Sequence, residues 1–481
     1  MRALNPAGDP PLHRGASACL AAMPFTSTGV YRALRLLAYL LALDGMNALV
    51  LNPTSVAIKY VISASLASLM AYCALSYASL TLRPSFPLAF LALSIAGVIG
   101  YVAQSGEGVP SYLSALFPML IAGMAIVIPG ARSAIDADEV QETILRTGLL
   151  FAAVQVTCQI LWRVFPATND LLRGELPNVE IVHVKTIVFV LAAATAVLAR
   201  RWRLLVPLLA LSAMTLALRP SSIFVAGFTL TVGIAVLLRS RFRWLGLTLG
   251  FALILAFLLF PLAFLADPNT AAPFFDLEPY VKVQLLDSAS NSSFRITVLK
   301  IARADILSHS LWFGQHFGGS EAVYVHDVLP DFDGSVAIHS DPFILIKYAG
   351  LFGYSFFAFG MLGAALTAAA SLRRAATGSS QSVVFGAMFC SVVALLIYVS
   401  YNPMLELYSV TFYVWLIFLV GALAARSQRL HGGARTAPDA NAPAKVRAVA
   451  SMFDGRQAAR SERRQRPAAP ITQQRCRPTS T

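Results

Sequence analysis

Residues 267–341 read DPNTAAPFFDLEPYVKVQLLDSASNSSFRITVLKIARADILSHSLWFGQHFGGSEAVYVHDVLPDFDGSVAIHSD, and their contrast with what flanks them decides the fold. Immediately before them runs FALILAFLLFPLAFLA (251–266), and soon after them comes another long apolar run. The stretch holds four of the seven histidines (His309, His316, His326, His339), ten of the 24 acidic residues, and Arg295. Polar chemistry is therefore collected in one segment flanked on both sides by long apolar runs.

Working outward, hydrophobic residues make up 57% of the 481 and charged residues only 13%. Soluble domains carry roughly 25% charge, and apolar runs near 20 residues mark bilayer spans. About twelve such runs are present, at approximately 30–51, 57–80, 86–104, 112–130, 143–163, 181–199, 202–218, 221–238, 244–266, 342–371, 382–400 and 404–425. The fold class expected is an all-α polytopic membrane protein with about 12 transmembrane helices and one large periplasmic loop containing short helices. The expected segments are a cytoplasmic tail (1–29), helices one to nine (30–266), the loop (267–341), helices ten to twelve (342–425) and a basic disordered tail (426–481).

The net charge of +13 does not point to nucleic acid, because the basic residues do not gather on one soluble face. They fall in short clusters between apolar runs: Arg83, Arg132, Arg200-Arg201-Trp202-Arg203, Arg239/Arg241/Arg243 and Arg373-Arg374. The tail after Arg426 adds more, whereas the connections at 104–112 and 401–404 contain no basic residue. Under the positive-inside rule this alternation puts both termini in the cytoplasm and 267–341 on the outer side, which in a Gram-negative cell is the periplasm. The five cysteines have no CxxC spacing and none lies in 267–341, which argues against a disulfide framework or a cysteine zinc site. The short apolar patch at 16–23 is weak for a signal peptide.

Several charged residues fall where a bilayer makes them costly. Arg219 closes the seventh run in Leu218-Arg219-Pro220-Ser221-Ser222. A serine there caps the next helix, and a helix N-terminus beside a guanidinium suits phosphate; a snorkelling arginine is the alternative. Arg295 is read as lying in the first turn of a helix over about 294–308, capped by Ser292 or Ser293. A cation at a helix N-terminus opposes the dipole unless an anion sits there too. Arg295, Leu299, Ala302 and Ile306 form one stripe of that helix, beside Phe294, Val298 and Ile301. His339 can act as a general base near neutral pH, or simply cap the interface. Asp341, before Pro342, reads as the N-cap of the tenth run, or as a partner or substitute for His339. Lys347, Glu406 and Asp44 are expected to line a polar cavity. Asp331-Phe332-Asp333 has metal-site spacing, but the histidines around it lack ligand spacing, and no metal or cofactor is expected.

Taken in order, these pieces resemble the O-antigen ligase and O-antigen polymerase superfamily of bacterial membrane glycosyltransferases. The resemblance rests on Leu218-Arg219-Pro220-Ser221 at a turn between spans and on Ser292-Ser293-Phe294-Arg295. It continues through His309-Ser310-Leu311-Trp312-Phe313-Gly314-Gln315-His316-Phe317-Gly318, and through His339-Ser340-Asp341-Pro342-Phe343 with Gly350-Leu351-Phe352-Gly353. Ser340, Ser310 and His316 depart from the family's Asn, Pro and Gly. The resemblance implies transfer of a glycan from undecaprenyl diphosphate to an acceptor sugar, either a lipid-linked repeat unit or lipid A-core. It implies Arg219 and Arg295 on the diphosphate and His339, with Asp341, at the acceptor. Repeat-unit polymerase is the leading expectation, O-antigen ligase the next, and a lipid-linked oligosaccharide flippase the alternative of another class.

Overall fold

The computed structural model describes residues 137–164, 186–218, 221–269, 288–312, 322–324, 335–338 and 340–401, with 314 and five positions between 414 and 425. The expected runs 30–51, 57–80, 86–104 and 112–130, most of 404–425, and both tails lie outside these residues. Eight helices and one hairpin are described: α1 (Ala137–Val164), α2 (Ile187–Leu198), α3 (Trp202–Leu218), α4 (Ser222–Arg239), α5 (Arg243–Ala266), α6 (Ser288–Ser308), β1 (Ala322–Tyr324), β2 (Ser335–Ala337), α7 (Asp341–Arg374) and α8 (Ser380–Tyr401). Three segments are long and apolar enough to cross a membrane: Arg243–Ala266, Gly350–Arg374 and Ser380–Tyr401.

α2 and α8 form the centre. Every residue of α2 is buried, as is α8 from Ser382 to Ser400. Their sequences are apolar on all sides, and a helix of that kind finds no solvent-facing side in a bundle. They run antiparallel: Leu198 meets Gly386 at one end, and the Thr186 and Tyr398 hydroxyls hydrogen-bond at 2.8 Å at the other. In an apolar bundle, association depends on close packing and on satisfying polar groups internally. Glycines supply the close packing. A Cβ on Gly227 of α4 would come within 2.6 Å of the Tyr398 ring, and one on Gly250 of α5 would collide with Phe389. Two large rings of α8 thus fill notches on two of its neighbours.

The turn between α2 and α3 is made by Arg200, whose φ of 55° reverses the chain. Arg201 N–H then donates to Ala196 O and Arg200 N–H to Val197 O, the paired bonds that end a helix in a left-handed cap. Ser221, expected as a cap, is the N-cap of α4 and accepts from Phe224 N–H at 3.4 Å.

Three expectations are corrected. The tenth run is not one continuous span. α7 is broken at Gly350 (φ 64°, ψ −170°), a conformation essentially restricted to glycine, so 341–349 is a separate half-helix and the crossing segment begins at Gly350. The loop helix begins at Ser288, not at 292–294, so Ser292 and Ser293 lie inside it and Arg295 stands two turns from its start. Finally, where short helices are expected, the described residues of 267–341 include a 21-residue helix and an antiparallel strand pair, Ala322↔Ala337 to Tyr324↔Ser335.

Candidate functional site

α6 owes its position to one buried face. Val298, Leu299, Ala302 and Ile306 are buried, so the stripe running through Arg295 is the one that faces the protein. From this face two arginines reach the ends of two bundle helices. Arg303 donates from Nε to Leu265 O at 2.9 Å and from a terminal nitrogen to Ala266 O at 3.4 Å, where α5 ends. Arg295 donates to Tyr401 O at 3.0 Å, at the end of α8. Helix C-termini present unbonded carbonyls and a partial negative charge, which a guanidinium satisfies on both counts. The cation that looked mismatched to its own helix is matched to the end of another one. Since Arg295 lies beyond the first turn, its own helix dipole opposes it little.

The same end of the bundle carries a further group of polar side chains. α6 closes with the Ser308 hydroxyl donating to Asp305 O at 2.7 Å and with His309 Nδ1 2.9 Å from the same carbonyl. The chain then turns at Ser310–Gly314 and meets the break in α7. Leu351 N–H donates to Leu311 O at 2.8 Å and Phe352 N–H to Trp312 O at 3.2 Å. Those two amides have lost their helical acceptors at the break, and the turn supplies replacements. Beside it, Lys347 Nζ is 3.0 Å from Asp305 Oδ2, with the lysine side chain 4% exposed and the aspartate 32%. His309 Nδ1 is 3.8 Å from the other carboxylate oxygen.

Of the residues singled out in the sequence, Arg295, Asp341 and Lys347 are described, and all three belong to this end of the bundle. Asp341 is buried, but it is the first helical residue of α7 rather than the N-cap. Ser340 is the N-cap, with an extended backbone and a buried hydroxyl that makes no hydrogen bond. An acid in the first turn suits the helix dipole. Lys347 has a specific counter-ion, Asp305. Arg219, His339, Glu406 and Asp44 lie outside the described residues; Ile338 and Ser340, on either side of His339, are buried. Among the described residues no three His, Cys, Asp or Glu side chains gather as a metal would require.

Arg303 and Asp305 were not anticipated. A buried lysine near a membrane segment demands a counter-ion, and the acids of the adjacent polar helix were the natural place to seek one. Arg303 gave no such signal, since its partners are backbone carbonyls. At the opposite end, the Ser380 hydroxyl donates to the Asp138 carboxylate, and Arg201 lies 4.0 Å from Glu142, beside the arginines of 200–203, 239–243 and 373–374. Compared with known proteins, the chain matches no protein-family model and no curated protein.

Proposed function

We propose that this protein is a membrane glycosyltransferase that moves a glycan from undecaprenyl diphosphate to an acceptor sugar at the periplasmic face of a bacterial inner membrane. Its task in this reading is to join repeat units of O-antigen or exopolysaccharide. About twelve spans and a periplasmic 267–341 belong to the same proposal. The observation that carries it is the seating of α6 across the ends of α5 and α8 through Arg303 and Arg295, beside buried Asp341 and the Lys347–Asp305 pair. A polar helix clamped on the end of an apolar bundle is the arrangement a lipid-linked polar substrate needs, with its chain in the bilayer and its head at the surface.

The chemistry follows from charge. As the glycosidic bond breaks, negative charge accumulates on the departing diphosphate, and Arg219 and Arg295 stabilise it there. Arginine binds phosphate oxygens bidentately while another of its five donors remains on a carbonyl such as Tyr401 O. His339 accepts the proton of the attacking hydroxyl, with Asp341 orienting it or serving in its stead. Attack opposite the leaving group inverts the anomeric carbon.

Alanine replacement of Arg219, Arg295 and His339 in a deletion strain, with glycan chains resolved on a gel, tests this. A single repeat left on lipid A-core identifies a polymerase. Bare core with accumulating lipid-linked polymer identifies a ligase. Full activity in all three variants removes the mechanism. One observation favours a flippase: α7 is discontinuous at Gly350, and transporters build binding sites at such breaks. They pair the breaks in matching halves, and among the described residues this one has no counterpart. In that reading, loss of Arg295 leaves unflipped repeat units on the inner leaflet.

A further inference from the structure

Polar side chains inside the bundle fall into two kinds. Hydroxyls can return to their own helix: Thr147, Thr195 and Ser400 each donate to the carbonyl one turn back at 2.7 Å. A glutamine amide has two donors and an acceptor and needs partners elsewhere. Gln141, Gln155 and Gln159 all lie on the buried stripe of α1. Gln159 is 7% exposed, and neither its Nε2 nor its Oε1 has a hydrogen-bond partner. Leaving such a group unsatisfied in apolar surroundings carries its full desolvation penalty.

Its height in the bundle can be read from contacts at the other end. Asp138 of α1 meets Ser380 of α8, and Gln159 and Tyr401 each lie 21 residues beyond that contact. Glu142 of α1 meets Arg201 before α3, and Gln159 and Leu218 each lie 17 residues beyond that one. The three helices rise in the same direction, with α1 in contact with both others. At about 1.5 Å per residue, Gln159, Leu218 and Tyr401 reach the same level. Tyr401 is the residue whose carbonyl holds Arg295, and Leu218 directly precedes Arg219 in sequence.

We propose that Gln159 binds a sugar hydroxyl of the diphosphate-linked donor, at the level of the bundle where Arg295 is held. This rests on the glycosyltransferase reading and adds a sugar-recognition residue to it. A hydroxyl both donates and accepts, so it satisfies both ends of the amide. A phosphate only accepts and would leave Oε1 unanswered.

The test uses the full-length protein in lipid nanodiscs and two probes: undecaprenyl diphosphate, and the same lipid carrying an N-acetylhexosamine disaccharide. The Gln159→Leu variant is expected to bind the glycosylated lipid about tenfold more weakly and the bare lipid unchanged. The control Gln141→Leu, at the opposite end of α1, is expected to alter neither affinity. Equal binding of the glycosylated lipid by wild type and Gln159→Leu overturns the inference and leaves the parent reading standing, as does equal weakening for both lipids. Wild-type protein that binds neither lipid takes down the parent reading and this inference with it. Since Leu substitution removes a buried polar group, folded yield is expected to be maintained, and binding of the glycosylated lipid that is kept by Gln159→Asn but lost by Gln159→Leu supports a hydrogen-bonding role.

Discussion

Lys347 Nζ stands 3.0 Å from Asp305 Oδ2, and this contact ties the half-helix before Gly350 to the helix of the polar stretch. The lysine is nearly inaccessible while the carboxylate is one-third exposed, so the two partners are not equally exchangeable. Removing Asp305 takes a carboxylate from a cation in a place that water does not reach. Removing Lys347 leaves an acid that water can still reach.

The prediction is an asymmetric double-mutant cycle. Asp305→Asn is expected to destabilise by about 1.5–3 kcal/mol, Lys347→Met by less, and the pair together by less than the sum. Denaturant titration in detergent micelles measures all three. Strict additivity would show that the ion pair contributes no coupling.

Gly350 is expected to tolerate no side chain. At φ 64° and ψ −170°, Gly350→Ala costs about 1–3 kcal/mol of strain. The same titration measures it, and hydrogen exchange at Leu351 and Phe352 reports the local effect. Faster exchange of those two amides, with α8 unchanged, is the expected pattern.

Gly227→Ala is expected to cost about 1–3 kcal/mol by driving a methyl into the Tyr398 ring. Tyr398→Leu opens the notch but forfeits the hydrogen bond to Thr186. Combining the two is expected to recover part of the loss from Gly227→Ala. No recovery would place the crowding elsewhere.

Arg295 and Arg303 are expected to separate by readout. Arg303→Ala lowers stability by about 1–2 kcal/mol through the unmet carbonyls of Leu265 and Ala266, with glycan synthesis falling only as folded protein falls. Under the proposed glycosyltransferase function, Arg295→Ala is expected to abolish synthesis at comparable protein level. Equal activity per folded molecule in both would assign Arg295 the same purely structural task.

What the sequence discloses and what it withholds divide along a physical line. Helices whose ends are set by local chemistry were read closely: the run 202–218 is Trp202–Leu218, 244–266 is Arg243–Ala266, and 382–400 is Ser380–Tyr401. Ser221 was legible because a serine cap acts three residues away. The break at Gly350 was not, since a glycine within an apolar run looks the same whether its helix continues or stops. What stops it is a turn at 311–312 that supplies two carbonyls from far along the chain. The start of α6 was misread because two serines resembled a cap. The partners of Arg295, Arg303 and Lys347 depend on which helix ends meet, and no spacing rule encodes that. His339 and Arg219 remain readings of sequence.

The discontinuity in α7 also bears on how the chain matures. A segment entering the bilayer normally closes its own backbone bonds as it goes in. Here two amides at the start of a crossing segment are completed by residues synthesised about forty positions earlier. Those residues sit in a turn whose own position depends on α6 settling across α5 and α8. The two bonds form only when the turn at 311–312 stands beside Gly350, so this stretch of backbone is completed by tertiary contact and not within its own helix.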